Sequence, residues 1–398
     1  MVDLPEFHDY SHALDPKFAV PGSKKVGSSL SQLFHRARSD IRDMIQCGRR
    51  FVIGLDIWTK KSLSASFLGI SACFFNTVKS EPQHVMLDLH RVEHPHTGDM
   101  IAEKIEHTLT DWGIKHDRLL LIVTDNSSNM LRAIKVVDEH VKEAENSVMQ
   151  PDTVDGEGND DEEDECDGEE IADIPEIPSV GVRHLPCMAH SIQLVVNQMR
   201  KMPDYTAVVN KGRAIVRKVK ISSKATEKLI AKCGKTVVVD CPTRWNSTLL
   251  MVNRLIAVRI PLTEVMNEMN CDALLVSEWS QLSDLSALLQ PFAEQTDLLQ
   301  KDSLALCQII PAVLDLRYHL LDSSSASLPF ASGLLEGLNN RFDRLLNECN
   351  VHFEVSPAAA CLMDPSNAHV LMNADFSLLM SAAKAFIITQ VQLALVIK

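Results

Sequence analysis

The sequence contains no Cys-x-x-Cys pair, although ten cysteines are scattered through its 398 residues. That absence excludes a secreted disulfide framework and a zinc finger of the usual spacing. It suits reduced thiols in a cytosolic or nuclear protein. The N-terminus, MVDLPEFHDYSHALDPKF, carries charges and prolines where a signal peptide needs an apolar run. No stretch reaches about 18 uninterrupted apolar residues, so no transmembrane helix and no membrane partner are expected. No internal repeat is found. A basic excess is missing too: 39 Lys and Arg face 53 Asp and Glu, for a net charge of −14. At first this argues against nucleic acid. Residues 152–170, however, hold twelve acids and no Lys or Arg. The rest of the chain is near neutral, and its local patches matter more than the total.

What is present is enough apolar material, 45% of the residues, for a sizeable core in two or three domains. Residues 1–27 read as polar and irregular, and 28–46 have helical spacing. Short apolar runs at Phe51–Ile57, Ser66–Phe75 and Val85–Leu89 read as strands. A helix over 97–112, a central strand at Leu119–Val123 and a helix from Asn126 follow. The acidic stretch 146–180 is expected to be a disordered surface loop. Beyond it helical periods dominate: 188–199, a basic helix over 205–220, then 244–258, 277–300, 304–321 and 331–348.

Four motifs carry chemistry. Leu55-Asp56-Ile57-Trp58-Thr59 closes the first strand, and Val123-Thr124-Asp125-Asn126-Ser127-Ser128-Asn129-Met130 closes a later one. Two aspartates at neighbouring strand ends can converge on Mg²⁺, which takes few protein ligands. The competing reading is a turn former or helix cap, since Asp125 precedes a helix. In His184-Leu185-Pro186-Cys187-Met188-Ala189-His190 the Cys and His lie three apart on one helix face. Zinc would need a second pair, so a buried Cys and a hydrogen-bonded His are favoured over a zinc site. In Asp240-Cys241-Pro242-Thr243-Arg244-Trp245-Asn246-Ser247-Thr248 an Arg can pair with phosphate and a Trp can stack on a base, against a Trp simply buried among helices. Along 205–224, Lys211, Arg213, Arg217, Lys218, Lys220 and Lys224 either track a phosphate backbone or form a solvated face.

Taken together these motifs resemble the hAT superfamily of transposases, in particular its BED zinc-finger type. The similarity covers roughly residues 21–321, on FVIGLDIWTKKSLSASFLGI, HPHTGDMIAEKIEHTLTDWGI, LLLIVTDNSSNMLRAI, RHLPCMAHSIQLVVNQ and VDCPTRWNSTLLMVNRL. The helical stretches LLQPFAEQTDLLQ and IIPAVLDLRYHL add to it. The resemblance implies an α/β ribonuclease-H-like core with a largely helical insertion domain, nuclear location, DNA as partner and Mg²⁺ as cofactor if the site is active. By it, Asp56 and Asp125 fall on the family's metal-binding, catalytic aspartates. Cys187 and His190 fall on its C-x-x-H pair beside the active site, and Arg244 and Trp245 on the pair whose Trp stacks on a flipped base.

The expected layout is an N-terminal segment (1–50), the first part of the core (51–145), the acidic loop (146–180), adjoining helices (181–240) and the insertion domain (241–398). The family's third acid, a glutamate after the insertion, has no counterpart in a matching motif. Glu354, Asp364 and Asp375 are the C-terminal candidates. No BED finger precedes Asp56, and the C-terminal dimerisation region is not recognisable. The expectation is therefore a transposase-derived protein with residual nucleic-acid binding and an incomplete catalytic site. The rivals are an active strand transferase and a module that binds other protein chains. The oligomeric state is left open.

Overall fold

The computed structural model describes residues 2–60, 65–149, 183–241, 245–300, 306–326 and 328–396. The acidic run and Arg244 lie outside these residues. The chain forms two compact units that part between His184 and Leu185.

The first unit opens with α1 (Pro5–Leu14), in a stretch whose polarity gave no helical signal, and α2 (Ser23–Gln46). Three antiparallel strands follow, β1 (Gly48–Lys60), β2 (Ala65–Asn76) and β3 (Glu81–Val92). Then come α3 (Gly98–Trp112), β4 (Leu119–Thr124) and α4 (Ser128–Met149). The short β5 (His184–Pro186) completes a five-stranded sheet in the order β3-β2-β1-β4-β5, in which Ile122 N donates to the Arg183 carbonyl at 2.8 Å. β4 runs parallel to β1.

Alternation along β1 explains which face is covered. Phe51, Ile53 and Leu55 are buried with Ile101, Ile105 and Leu109 of α3 and with Met130, Ile134 and Val137 of α4. Strand side chains alternate in direction, so Asp56 belongs to the opposite, open face. Thr97 caps α3 by accepting from Met100 N at 3.3 Å, and Gly113 ends it at φ +68°. Gly98 lets α3 lie close to α4: a Cβ there would press on the Arg132 side chain and come within 3.0 Å of the Ala133 nitrogen. Trp112 Nε1 donates to the Leu87 carbonyl at 3.1 Å, tying α3 to the sheet.

The second unit is helical. Its elements are α5 (Met188–Gln198), α6 (Pro203–Ile221), α7 (Ser223–Cys233), α8 (Trp245–Ala257), α9 (Arg259–Glu268) and α10 (Val276–Leu299). α11 (Ile309–Leu321), α12 (Ser323–Ala326), α13 (Ala331–Leu346), α14 (Ser356–Met363) and α15 (Ser377–Val396) complete it. Its core gathers residues such as Leu249, Val252, Leu282, Phe292, Leu316 and Phe342. Around α15, the stretch Ala374–Gln392 is long and apolar enough to cross a membrane by length and composition. Lys384, Thr389 and Gln390 interrupt it, so it contains no long uninterrupted apolar run. Its Leu379 and Ala383 are buried in the packing of this unit.

Candidate metal and nucleic-acid site

β1 is longer than its apolar run, because its antiparallel partner β2 carries it on to Lys60. Asp56 therefore sits inside the strand, opposite Gly69, rather than at its tip. The parallel pairing of β1 with β4 runs Val52 to Leu121, Ile53 to Ile122 and Gly54 to Val123. Asp56 and Asp125 each follow this pairing by two residues, Asp56 still within β1 and Asp125 just past the end of β4. Neighbouring strands lie about 4.8 Å apart, so two carboxylates at matched positions are within reach of one ion.

Asp125 is also a turn former. Its Oδ1 accepts from Ser127 N at 3.1 Å and from Ser127 Oγ at 2.8 Å, just before α4 begins. The two readings of this residue are compatible, since the turn fixes the carboxylate. On either side of it, Thr124 Oγ1 and Asn126 Oδ1 are buried without a hydrogen-bond partner. The oxygen donors of Asp56, Asp125 and Asn126 fit a hard divalent cation by their chemistry. Among the described residues, no group of three or more His, Cys, Asp or Glu could hold a metal ion.

Trp58 had no role assigned from the sequence. It lies two residues after Asp56 on the same face of β1, is 41% exposed, and has its ring 6.1 Å from that of Phe67. Gly69 makes room for it: a Cβ at that glycine would stand 3.0 Å from Trp58 Cζ3. The sequence signal was the Trp at i+2 from the aspartate, where strand alternation puts both on one face.

In the second unit, Cys187 takes the N-cap position of α5 and His190 follows in its first turn; both are half-buried. Trp245 opens α8 and is only 3% exposed. In this conformation the ring is part of the helical packing. Arg244 lies outside the described residues. The surrounding motif works as a clamp. Asp240 Oδ2 accepts from Arg213 Nε at 2.8 Å, Arg213 Nη2 at 2.7 Å and Thr248 Oγ1 at 2.9 Å, and Ser247 Oγ binds both the Cys241 nitrogen and its carbonyl. Burial pushes the Asp240 carboxyl up, but the hydrogen bonds from Arg213 and Thr248 outweigh it and hold it below the ordinary carboxylate range.

The basic helix is correspondingly less free than its composition suggested. Arg213 belongs to the clamp, and Lys211 Nζ pairs with Glu278 at 2.6 Å. Arg217, Lys218, Lys220 and Lys224 remain without an ion pair among the described residues. Of the C-terminal acids, Glu354 is 5% exposed and accepts from Ser356 N at 2.9 Å. Asp364 accepts from Ser366 N at 2.9 Å and Asn367 Nδ2 at 2.8 Å. Asp375 lies exposed in a short turn before α15. The nine described cysteines are free thiols. Burial and Asp364 push Cys307 up to about 11.

A five-stranded mixed sheet followed by a helical unit fits a transposase-type protein with a ribonuclease-H-like core and a helical domain. The ZBED1 RNase-like domain matches residues 54–152, and the ZBED1 RNase-like helical domain matches residues 185–288. The chain is 21% identical to the "Putative transcriptional regulator tpeD" of Talaromyces stipitatus, over 78% of this chain and 36% of that protein. It is 20% identical to the "Putative AC transposase" of Zea mays, over 94% of this chain and 43% of that protein. It is 19% identical to the "Zinc finger BED domain-containing protein RICESLEEPER 1" of Oryza sativa, over 95% of this chain and 49% of that protein. The chain thus spans less than half the length of each of these relatives. It belongs to the hAT-type, transposase-derived proteins of the BED zinc-finger kind.

Proposed function

We propose that this chain is the nuclease-like and helical part of a transposase-derived nuclear protein that binds DNA, holds a divalent cation at Asp56 and Asp125, and does not cut DNA by itself. The observation that carries the reading is the β1–β4 register, because Asp56 and Asp125 each stand two residues beyond the pair Gly54–Val123. Asp56 and Asp125 would hold a Mg²⁺ or Mn²⁺ ion, which would supply positive charge to a phosphodiester oxygen. The chain's own residues supply the rest. Asp125 is held in place by Ser127, and Asp56 is set within β1 opposite Gly69 of β2. Trp58 offers an exposed ring on which an unstacked base can rest. Phosphodiester displacement calls for ligands that stabilise both attacking and leaving oxygens.

The test uses the full chain with labelled hairpin and linear duplexes. Binding that weakens as salt rises, with no Mg²⁺- or Mn²⁺-dependent cleavage, is the expected result. Cleavage that vanishes in Asp56→Ala/Asp125→Ala overturns the inactive reading. Absence of duplex binding at low salt overturns the DNA-binding one.

A further inference from the structure

Within the helical unit, α6, α7 and the end of α9 enclose an open cavity of about 530 Å³. Its floor is apolar, formed by Val219, Ala225, Met266 and Met269, and Ile221 stands at its edge 85% exposed. Arg217 and Lys218 line the same cavity. Both are exposed, and neither forms an ion pair among the described residues. The acids of α9 that pair with lysines of α7 are already committed: Glu264 to Lys232, and Glu268 to Lys228 and Lys232. The surface therefore combines an uncovered apolar hollow with two cations that no neighbour neutralises.

DNA is a poor complement to this combination. A phosphate backbone satisfies the cations but has nothing to fill an apolar hollow, and desolvating that floor against a charged strand gains nothing. A protein segment satisfies both features. An apolar side chain removes the floor and Ile221 from water, while flanking carboxylates meet Arg217 and Lys218. Two methionines in the floor give it the adaptable packing of surfaces that accept helical apolar anchors. We propose that the groove between α6, α7 and α9 is a docking site for a segment of a partner protein that presents a large apolar anchor flanked by Asp or Glu.

The probe is a set of fluorescein-labelled synthetic helical peptides, measured by anisotropy against the full chain. One carries Leu and Phe anchors between glutamates. A second has the anchors replaced by Ser, a third has Gln for Glu, and a 20-base-pair duplex is run alongside. The anchored acidic peptide is expected to bind, with at least about tenfold loss for the Ser and Gln peptides. Arg217→Glu/Lys218→Glu, on exposed positions, should lose that peptide by a similar factor and gain a peptide with Lys in place of Glu. Ala214→Trp, at the exposed rim, should weaken all anchored peptides. Methyl NMR of labelled methionines should shift Met266 and Met269 on binding. Equal binding of the Ser peptide, or duplex binding that depends on Arg217 and Lys218, would make the cations a phosphate track and overturn the proposal. So would failure of the anchored peptide to bind the parent, or unmoved methionine signals.

Discussion

Arg213 shows how a residue that reads as one cation of a basic helix can prove to be part of the framework, through its pair with Asp240. The guanidinium gives two nitrogens to one carboxylate oxygen, with the carboxylate side chain 5% exposed and the guanidinium 17%. Removing one partner of such a pair leaves the other buried and uncompensated. Arg213→Ala is expected to cost about 3 kcal/mol in urea unfolding. The Asp240 carboxyl is held below its ordinary value of 3.8, so it ionises more readily in the folded chain than in the unfolded one. Its contribution is present in full above the unfolded pKa and is lost as pH falls through the lower folded pKa. Unfolding at pH 7 and at about pH 3 should therefore differ more for the parent than for Asp240→Asn. At this scale the sequence could be read for residue types but not for partners. Asp56 and Asp125 stood out because each follows an apolar run, but only Asp125 lies at a strand end, Asp56 being inside β1. That Arg213 would spend its charge on Asp240, 27 positions away, left no local mark.

Among elements, the long-period signals carried best. The helices α3, α5, α6, α8, α10 and α13 lie within a few residues of where their apolar spacing put them, because each buries one stripe against a core. The strands were legible as existing but too short. β1 reaches Lys60 and β3 begins at Glu81 because backbone pairing with β2, not apolar content, sets their ends. α1 was missed: of its side chains only Ser11 is buried, so no apolar stripe announces it. The start of α10 offers a test of element energetics. Glu278 pairs with Lys211 of α6 and accepts from Leu275 N at 2.6 Å, so it both bridges two helices and caps one. Glu278→Ala should destabilise by about 1–2 kcal/mol, and Lys211→Ala by less than about 1 kcal/mol, because only the former removes a cap. Equal losses in thermal or urea unfolding would mean that the ion pair, rather than the cap, is what matters.

For the whole molecule, the sequence switches from strand-like runs to helical periods after residue 180, and the two compact units part between His184 and Leu185. The charge distribution bears directly on DNA. Twelve acids in residues 152–170 oppose the approach of a polyanion, whatever conformation they adopt. Deleting that run should strengthen duplex binding at low salt, with the gain shrinking as the Debye length shortens. A gain that persists at high salt would point to a contact other than charge. The most direct test of the account is the cation itself. Mn²⁺ is titrated into the full chain and followed by electron paramagnetic resonance, beside Asp56→Asn and Asp125→Asn, with circular dichroism to confirm that each variant folds. The account requires one weak Mn²⁺ site in the parent that is lost in either variant, as two carboxylates brought together by the β1–β4 register would give. A parent that binds no Mn²⁺, or a site that survives in both variants, would contradict it.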